Sequence, residues 1–212
     1  WSKIVHSLEK NDYAPSTLRK YLNLLEQEWL LYQPYNSAWR LPTCRGMEDY
    51  METIIQEISD ETDEQRDQTF DEDINYTRGN LREIVETLWE YVDGAVVGFL
   101  KEDEYYYLGL NNLIKETFMD DVSTVKYLVK FIESREIVQK LDTRIMKNWK
   151  IYYTFLEHEN KLISIVYTKI IVNDYDCVIS VLWPSRVDHK RNIVILTKFL
   201  EFFYWKNTEN LL

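Results

Sequence analysis

A chain of 212 residues with 45% hydrophobic and 15% aromatic residues has ample material for a packed core, which excludes a disordered protein. The net charge of −11 does not decide for or against nucleic acid: residues 51–75 carry ten acidic residues against Arg66, while residues 1–50 balance six acidic with six basic. The absence of an apolar run of roughly 18 residues, of a leader pattern at Trp1–Ile4 and of metal-type spacing between Cys44 and Cys177 predicts a cytoplasmic chain with reduced thiols and no membrane partner.

Lys3 to Lys10 reads as a short helix with Ile4, Val5 and Leu8 on one side, and Asn11 to Pro15 interrupts it with turn chemistry. Ser16 is the expected N-cap of the next helix. There Leu18, Leu22 and Leu25 form a buried stripe at i, i+4 and i+7, leaving Thr17, Arg19, Lys20 and Asn23 on the polar side. A helix, a turn and a second helix with a basic face make a helix-turn-helix, whose second helix would enter a major groove. Leu30 to Gln33 reads as a short strand, and Pro34 to Thr43 as a loop ending in an extended segment. A strand–loop–strand behind a recognition helix is the wing of a winged helix. Its candidate DNA contacts are Ser37 and Arg40, the latter because guanidinium is planar and permanently charged. Residues 46–58 continue as a helix, and Ser59 to Asp73 is an acidic linker.

A second domain begins near Asn80. Leu81, Ile84, Val85, Leu88 and Tyr91 mark a helix; Ala95–Leu100 and Glu104–Leu108 read as strands, with Gly94 turning into the first. Val122, Val125, Leu128, Val129 and Ile132 form an amphipathic helix running on to about Leu141. Three strands rich in Ile, Val and Tyr follow at Ile151–Phe155, Leu162–Ile171 and Tyr175–Leu182, the last two joined as an antiparallel hairpin through Val172-Asn173-Asp174. Ile193, Leu196, Leu200 and Phe203 share a face of a closing helix. The expected fold is α+β: a winged-helix head over residues 1–50, a helix and acidic linker over 51–78, and an antiparallel sheet covered by helices over 79–212.

Four blocks, in order, resemble the HrcA family, the repressors of bacterial chaperone operons. They are Ser16-Thr17-Leu18-Arg19-Lys20 continuing to Leu25-Glu26, Gln33-Pro34-Tyr35-Asn36-Ser37-Ala38-Trp39-Arg40-Leu41-Pro42-Thr43, Tyr107-Leu108-Gly109-Leu110-Asn111-Asn112-Leu113-Ile114, and Trp183-Pro184-Ser185-Arg186-Val187-Asp188-His189. The resemblance implies a GAF-like body and a repressor that binds an inverted-repeat operator in double-stranded DNA as a homodimer. It also implies that the chaperonin GroEL keeps the repressor active and that heat stress releases it. On the same comparison a further N-terminal helix is missing, and the stretch between the first body strand and Tyr105 is short, so that part of the sensor-like domain and an inserted dimerisation segment are absent. Trp29, Trp39, Trp149 and Trp183 stand where the family pattern has glycine at turns. That predicts backbone strain and a gene whose UGA codons mean glycine; UGG at all four positions would exclude this.

His6, His158 and His189 sit in separate segments, without the spacing of a metal site, phosphate loop or nucleophile elbow. No enzyme activity, metal or cofactor is therefore expected, and His158-Glu159-Asn160 reads as a turn. Two other readings stay open. One is a winged-helix regulator whose body binds a small molecule, favoured by an apolar pocket within 80–205. The other is a non-DNA-binding interaction module, favoured if Arg19 and Arg40 lie in internal ion pairs.

Overall fold

Two units divide the chain, residues 1–66 and 67–212. The computed structural model describes residues 14–60, 80–100, 104–117, 122–141, 146–148, 150–159, 161–173, 175–184 and 189–209. The expected helix at Lys3–Lys10, the acidic stretch beyond Asp60, Trp149 and Ser185–Asp188 lie outside them.

The described part of the first unit opens with helix α1, Pro15–Gln27. Ser16 is not its cap. Ala14 holds the N-cap position, its carbonyl accepting from the Thr17 and Leu18 N–H groups at 2.9 and 3.2 Å, because Pro15 fits the first helical position with its fixed φ and lack of an N–H. Two very short antiparallel strands follow, β1 (Leu31–Tyr32) and β2 (Leu41–Pro42), with Leu31 opposite Pro42 and Tyr32 opposite Leu41. Helix α2, Cys44–Asp60, buries Met47, Met51, Ile54 and Ile58 at helical spacing.

The second unit is an antiparallel five-stranded sheet with helices on both faces. Helix α3 (Leu81–Tyr91) starts at Asn80, whose side-chain carbonyl accepts from the Glu83 N–H at 3.2 Å while its amide donates to the Glu83 carboxylate. Then come β3 (Ala95–Leu100), β4 (Glu104–Leu108), α4 (Leu110–Thr117), α5 (Val122–Glu133), α6 (Glu136–Lys140), β5 (Ile151–His158), β6 (Lys161–Val172), β7 (Tyr175–Pro184) and α7 (His189–Glu209). The sheet order is β4-β3-β7-β6-β5. Alternation along the strands separates its faces. Ala95, Val97 and Phe99 of β3, Ile163 and Ile165 of β6, and Val178 and Leu182 of β7 share one core with Leu128, Phe131 and Ile132 of α5 and Ile137 of α6. On the other face Gly98 meets Leu81 and Val85 of α3, and Ser164 of β6 meets His189 at the start of α7.

The helix expected to run from Val122 to Leu141 is broken. Arg135 sits in the left-handed region at φ 60° between α5 and α6, its guanidinium 5.2 Å from the ring centre of Tyr105. The Tyr105 hydroxyl donates to the Ile132 carbonyl at 2.6 Å, in the last turn of α5. Helical periodicity alone cannot register such a break, because both halves bury apolar residues against the same sheet. Helix α4 was not foreseen at all; its strongest apolar anchor, Leu113, is fully enclosed. The Asn173 turn is the expected hairpin, with Val172 opposite Tyr175 and Asn173 at φ 49°. Glu159, at φ 47°, occupies the turn between His158 and Lys161 in the same way.

Trp183 corrects another expectation. It stands in strand β7 opposite Ser164 rather than in a turn, is fully buried edge-on to the His189 ring, and has no positive φ. Its Nε1 has no hydrogen-bond partner among the described residues, so its cost is a buried unsatisfied donor and not backbone strain.

Gly109 ends β4 at φ 84°, where a Cβ would come within 2.5 Å of the Gly94 carbonyl oxygen and 2.6 Å of Trp89 Nε1. Gly109→Ala is therefore expected to lower stability by about 2 kcal/mol or more, read from a urea transition; an unchanged midpoint would contradict this packing. Burial pushes the Cys177 thiol up to about 12, whereas Cys44 is exposed. One thiol, Cys44, should react with a disulfide reagent at pH 8 in the folded protein and two in denaturant. Rapid native labelling of both would contradict the buried position of β7.

Candidate nucleic-acid interface

The first unit is built around the end of α1. The Leu30 N–H donates to the Leu25 carbonyl at 2.9 Å and the Trp29 N–H to the Glu26 carbonyl at 3.1 Å, while Trp29 adopts φ 59°. This is the Schellman ending, with Trp29 in the left-handed position that glycine suits and Leu30 returning onto Leu25 in a small cluster with Leu22 and Leu31. The first turn of α2 closes on the same corner. Thr43 caps α2: its hydroxyl accepts from the Gly46 N–H at 3.0 Å and shares its own proton between the carbonyls of Trp29 and Leu30 at 2.8 and 3.2 Å. Gly46 is needed there because a Cβ would lie 2.0 Å from the Leu30 oxygen.

This corner fixes which side of α1 faces outward. Ser16, Arg19, Lys20, Asn23, Leu24 and Gln27 line one solvent-open hollow of about 390 Å³. Three of the four residues expected on the recognition face, Arg19, Lys20 and Asn23, are thus brought together, with both cations exposed. Thr17 is half-buried and does not line the hollow. Ser16 and Gln27 were missed, although the spacing 16, 20, 23, 27 marks one face at 3.6 residues per turn.

The hairpin loop is closed by the Ala38 N–H donating to the Tyr35 carbonyl at 3.0 Å and by the Gln33 side-chain amide donating to the Ala38 carbonyl at 2.8 Å. Ser37 is exposed at φ 74°, its hydroxyl turned back on the Asn36 carbonyl. Tyr35 and Trp39 are 71% and 89% exposed, so the loop presents aromatic surface beside the cationic helix. Arg40 is not free at the tip. Its Nε donates to Glu26 Oε2 at 3.0 Å and its Nη2 to Asn23 Oδ1 at 2.5 Å, and only 23% of its side chain is exposed. Glu26 had been given no role from the sequence; its position three residues after Asn23 on the same helix is the only signal that could have suggested one.

In the second unit, Ser123 Oγ lies 3.5 Å from His158 Nε2 and donates to Glu159 Oε1 at 3.1 Å, while the His158 ring stacks on Tyr127 at 4.1 Å. The carboxylate thus holds the serine hydroxyl and not the imidazole, the reverse of the order that activates a nucleophile. A hollow of about 490 Å³ is lined by Val125, Lys126, Val129, Lys130 and Glu133 of α5 and by Ser134 just after it, and is open to solvent. It lacks the enclosure that a small-molecule sensor site needs. Among the described residues there is no His, Cys, Asp and Glu grouping that could hold a metal, and no helix long and apolar enough to cross a membrane.

Residues 43–193 match the family model described as HrcA protein C terminal domain. The chain belongs to the HrcA family. The heat-inducible transcription repressor HrcA of Thermosynechococcus vestitus is 39% identical over 59 residues, 28% of this chain and 17% of that protein. The chain therefore aligns with about one sixth of that relative's length. A crystal structure described as that of a hypothetical protein superposes with a TM-score of 0.61 at 13% identity, covering 95% of this chain and 90% of that one, and it speaks for the fold alone. The HrcA family match begins at Thr43, so the hollow on α1 lies outside it.

Of the three described tryptophans where the sequence resemblance led us to expect glycine, Trp29 has a left-handed backbone, and Trp39 and Trp183 do not. A left-handed conformation costs an L-residue roughly 1–2 kcal/mol, partly offset by the entropy glycine loses on folding. Trp29→Gly is expected to raise stability by about 0.5–1 kcal/mol in thermal or urea unfolding; a lower midpoint would show that the 75% exposed indole makes compensating contacts.

Proposed function

We propose that this chain is a DNA-binding transcriptional repressor of heat-shock genes, acting as a homodimer on an inverted repeat and released on heat stress. In this reading the first unit is a winged helix. Helix α1 lies in the major groove, the Tyr35–Arg40 loop is the wing, and the GAF-like body carries dimerisation and the response to stress. The observation that carries the reading is the joint presence of HrcA family membership and an outward helix face with two exposed cations beside a hairpin. Arg19 and Lys20 would neutralise phosphate or meet guanine edges, Asn23 would read a base edge, and Thr17 and Ser37 would flank the contact. Two copies would place their α1 helices in major grooves about one turn apart or a multiple of that. The chaperonin GroEL is the partner that family resemblance suggests for keeping the repressor active. Loss of the folded dimer on heating would be a physical route to release, because operator binding stabilises only the native state.

The interaction-module reading has one observation in its favour, the internal ion pair of Arg40, and one against it, the exposure of Arg19. Fluorescence anisotropy with an inverted-repeat chaperone operator and a scrambled duplex, each at two salt concentrations, separates the readings. Tighter, salt-sensitive binding to the operator is expected, and Arg19→Ala or Lys20→Ala should each reduce the salt slope by about one. Equal or absent binding to both duplexes would leave the interaction module as the better account.

A further inference from the structure

The hairpin that forms the proposed wing has two ladder pairs, too few to hold its own direction. The residue just before its second strand, Arg40, ties it to α1. The Arg40 guanidinium bonds through Nε to Glu26 Oε2 at 3.0 Å and through Nη2 to Asn23 Oδ1 at 2.5 Å, two groups one turn apart on the helix. Guanidinium suits this because its planar fork donates in two fixed directions at once, which a lysine ammonium does not do.

We infer that Arg40 is a positioning residue that fixes the wing on α1 and sets the orientation of Asn23, and that it is not itself a contact to DNA. Two consequences follow, and both rest on the DNA-binding reading. First, the Glu26 carboxylate already neutralises Arg40, and a phosphate brought to the same guanidinium would meet that carboxylate's charge. The electrostatic contact then belongs to Arg19 and Lys20, which are exposed on the same helix. Second, arginine can only donate, so the Asn23 atom facing it must be the carbonyl oxygen, and the Asn23 amide nitrogen is left as its remaining polar group. An asparagine needs both atoms to read adenine bidentately. With one Oδ1 lone pair and the direction of the carbonyl taken by Arg40, Asn23 keeps both amide N–H groups to donate, which fits acceptor edges such as guanine N7 and O6 or thymine O4. Glu26 thereby acts on specificity without reaching the duplex.

The first test needs no DNA. Amide hydrogen exchange of the segment spanning residues 33–42 is compared in the full chain, Arg40→Ala, Arg40→Lys and Glu26→Gln, at a temperature where melting curves show all four folded. Faster exchange in this segment in all three variants, with the segment 44–60 unchanged, is expected; wild-type exchange rates in Glu26→Gln and Arg40→Ala would overturn the strut. The second test repeats the operator and scrambled-duplex titrations with Glu26→Gln. A positioning role predicts that operator affinity falls about threefold to tenfold, the operator-to-scrambled ratio narrows and the salt slope stays as in wild type. A partly unfolded variant would lower both affinities alike and leave the ratio unchanged, which also counts against positioning. A direct phosphate contact predicts the opposite sign: Glu26→Gln binds as well or better, and Arg40→Ala lowers the salt slope by about one. If wild type binds neither duplex selectively, the repressor reading fails, and hydrogen exchange alone decides whether the strut exists.

Discussion

Everything that positions the candidate interface depends on the carbonyl of Leu30. It receives the Thr43 N–H at 3.0 Å and part of the Thr43 hydroxyl proton, and it lies against the one glycine in the first turn of α2. The end of α1, both hairpin strands and the start of α2 therefore meet within a few ångströms of a single peptide group. Because the hairpin is only two pairs long, this corner and the Arg40 fork together decide where the loop points. A change at the corner would move the hairpin and the outward face of α1 together.

The second unit rests on a different principle. Its sheet is antiparallel throughout, and strict alternation sends one set of side chains to α5 and α6 and the other to α3 and α7. Polar groups enter this interior where they find partners: Ser180 Oγ donates to the Val97 carbonyl at 3.0 Å, and Ser164 meets His189 at 3.1 Å. Trp183 Nε1 and Asn192 Nδ2 are buried without a partner among the described residues, Trp183 at a position where the family resemblance places glycine. Trp29 breaks the backbone rule at another such position. These two departures have different physical origins, a lost hydrogen bond and a left-handed φ, and no single account of packing covers both.

Helices and strands with clean periodicity were legible in advance. The apolar stripe of α1, where Leu25 is buried and Leu18 and Leu22 are half-buried, and the Asn173 turn carry their instructions within a few residues, so local chemistry suffices to read them. The Arg135 break, helix α4 and the inner role of Arg40 were not legible. Each depends on a residue distant in the chain: Tyr105 for Arg135, the sheet for Leu113, and Glu26 with Asn23 for Arg40.

The sequence by itself determined the α+β class, the polar and apolar sides of α1, the cationic pair Arg19 and Lys20, and a resemblance that the HrcA family match bears out. Periodicity of 3.6 or 2 and local capping groups are one-dimensional signals, and they survive without knowledge of the fold. Only the tertiary structure decided that Thr17 leaves the exposed face and that Arg40 turns inward to a carboxylate. A charged side chain has the same sequence signature whether it meets water, a phosphate or a partner on its own chain. Which of these it meets depends on desolvation and distance, and those are fixed only when separate segments come together.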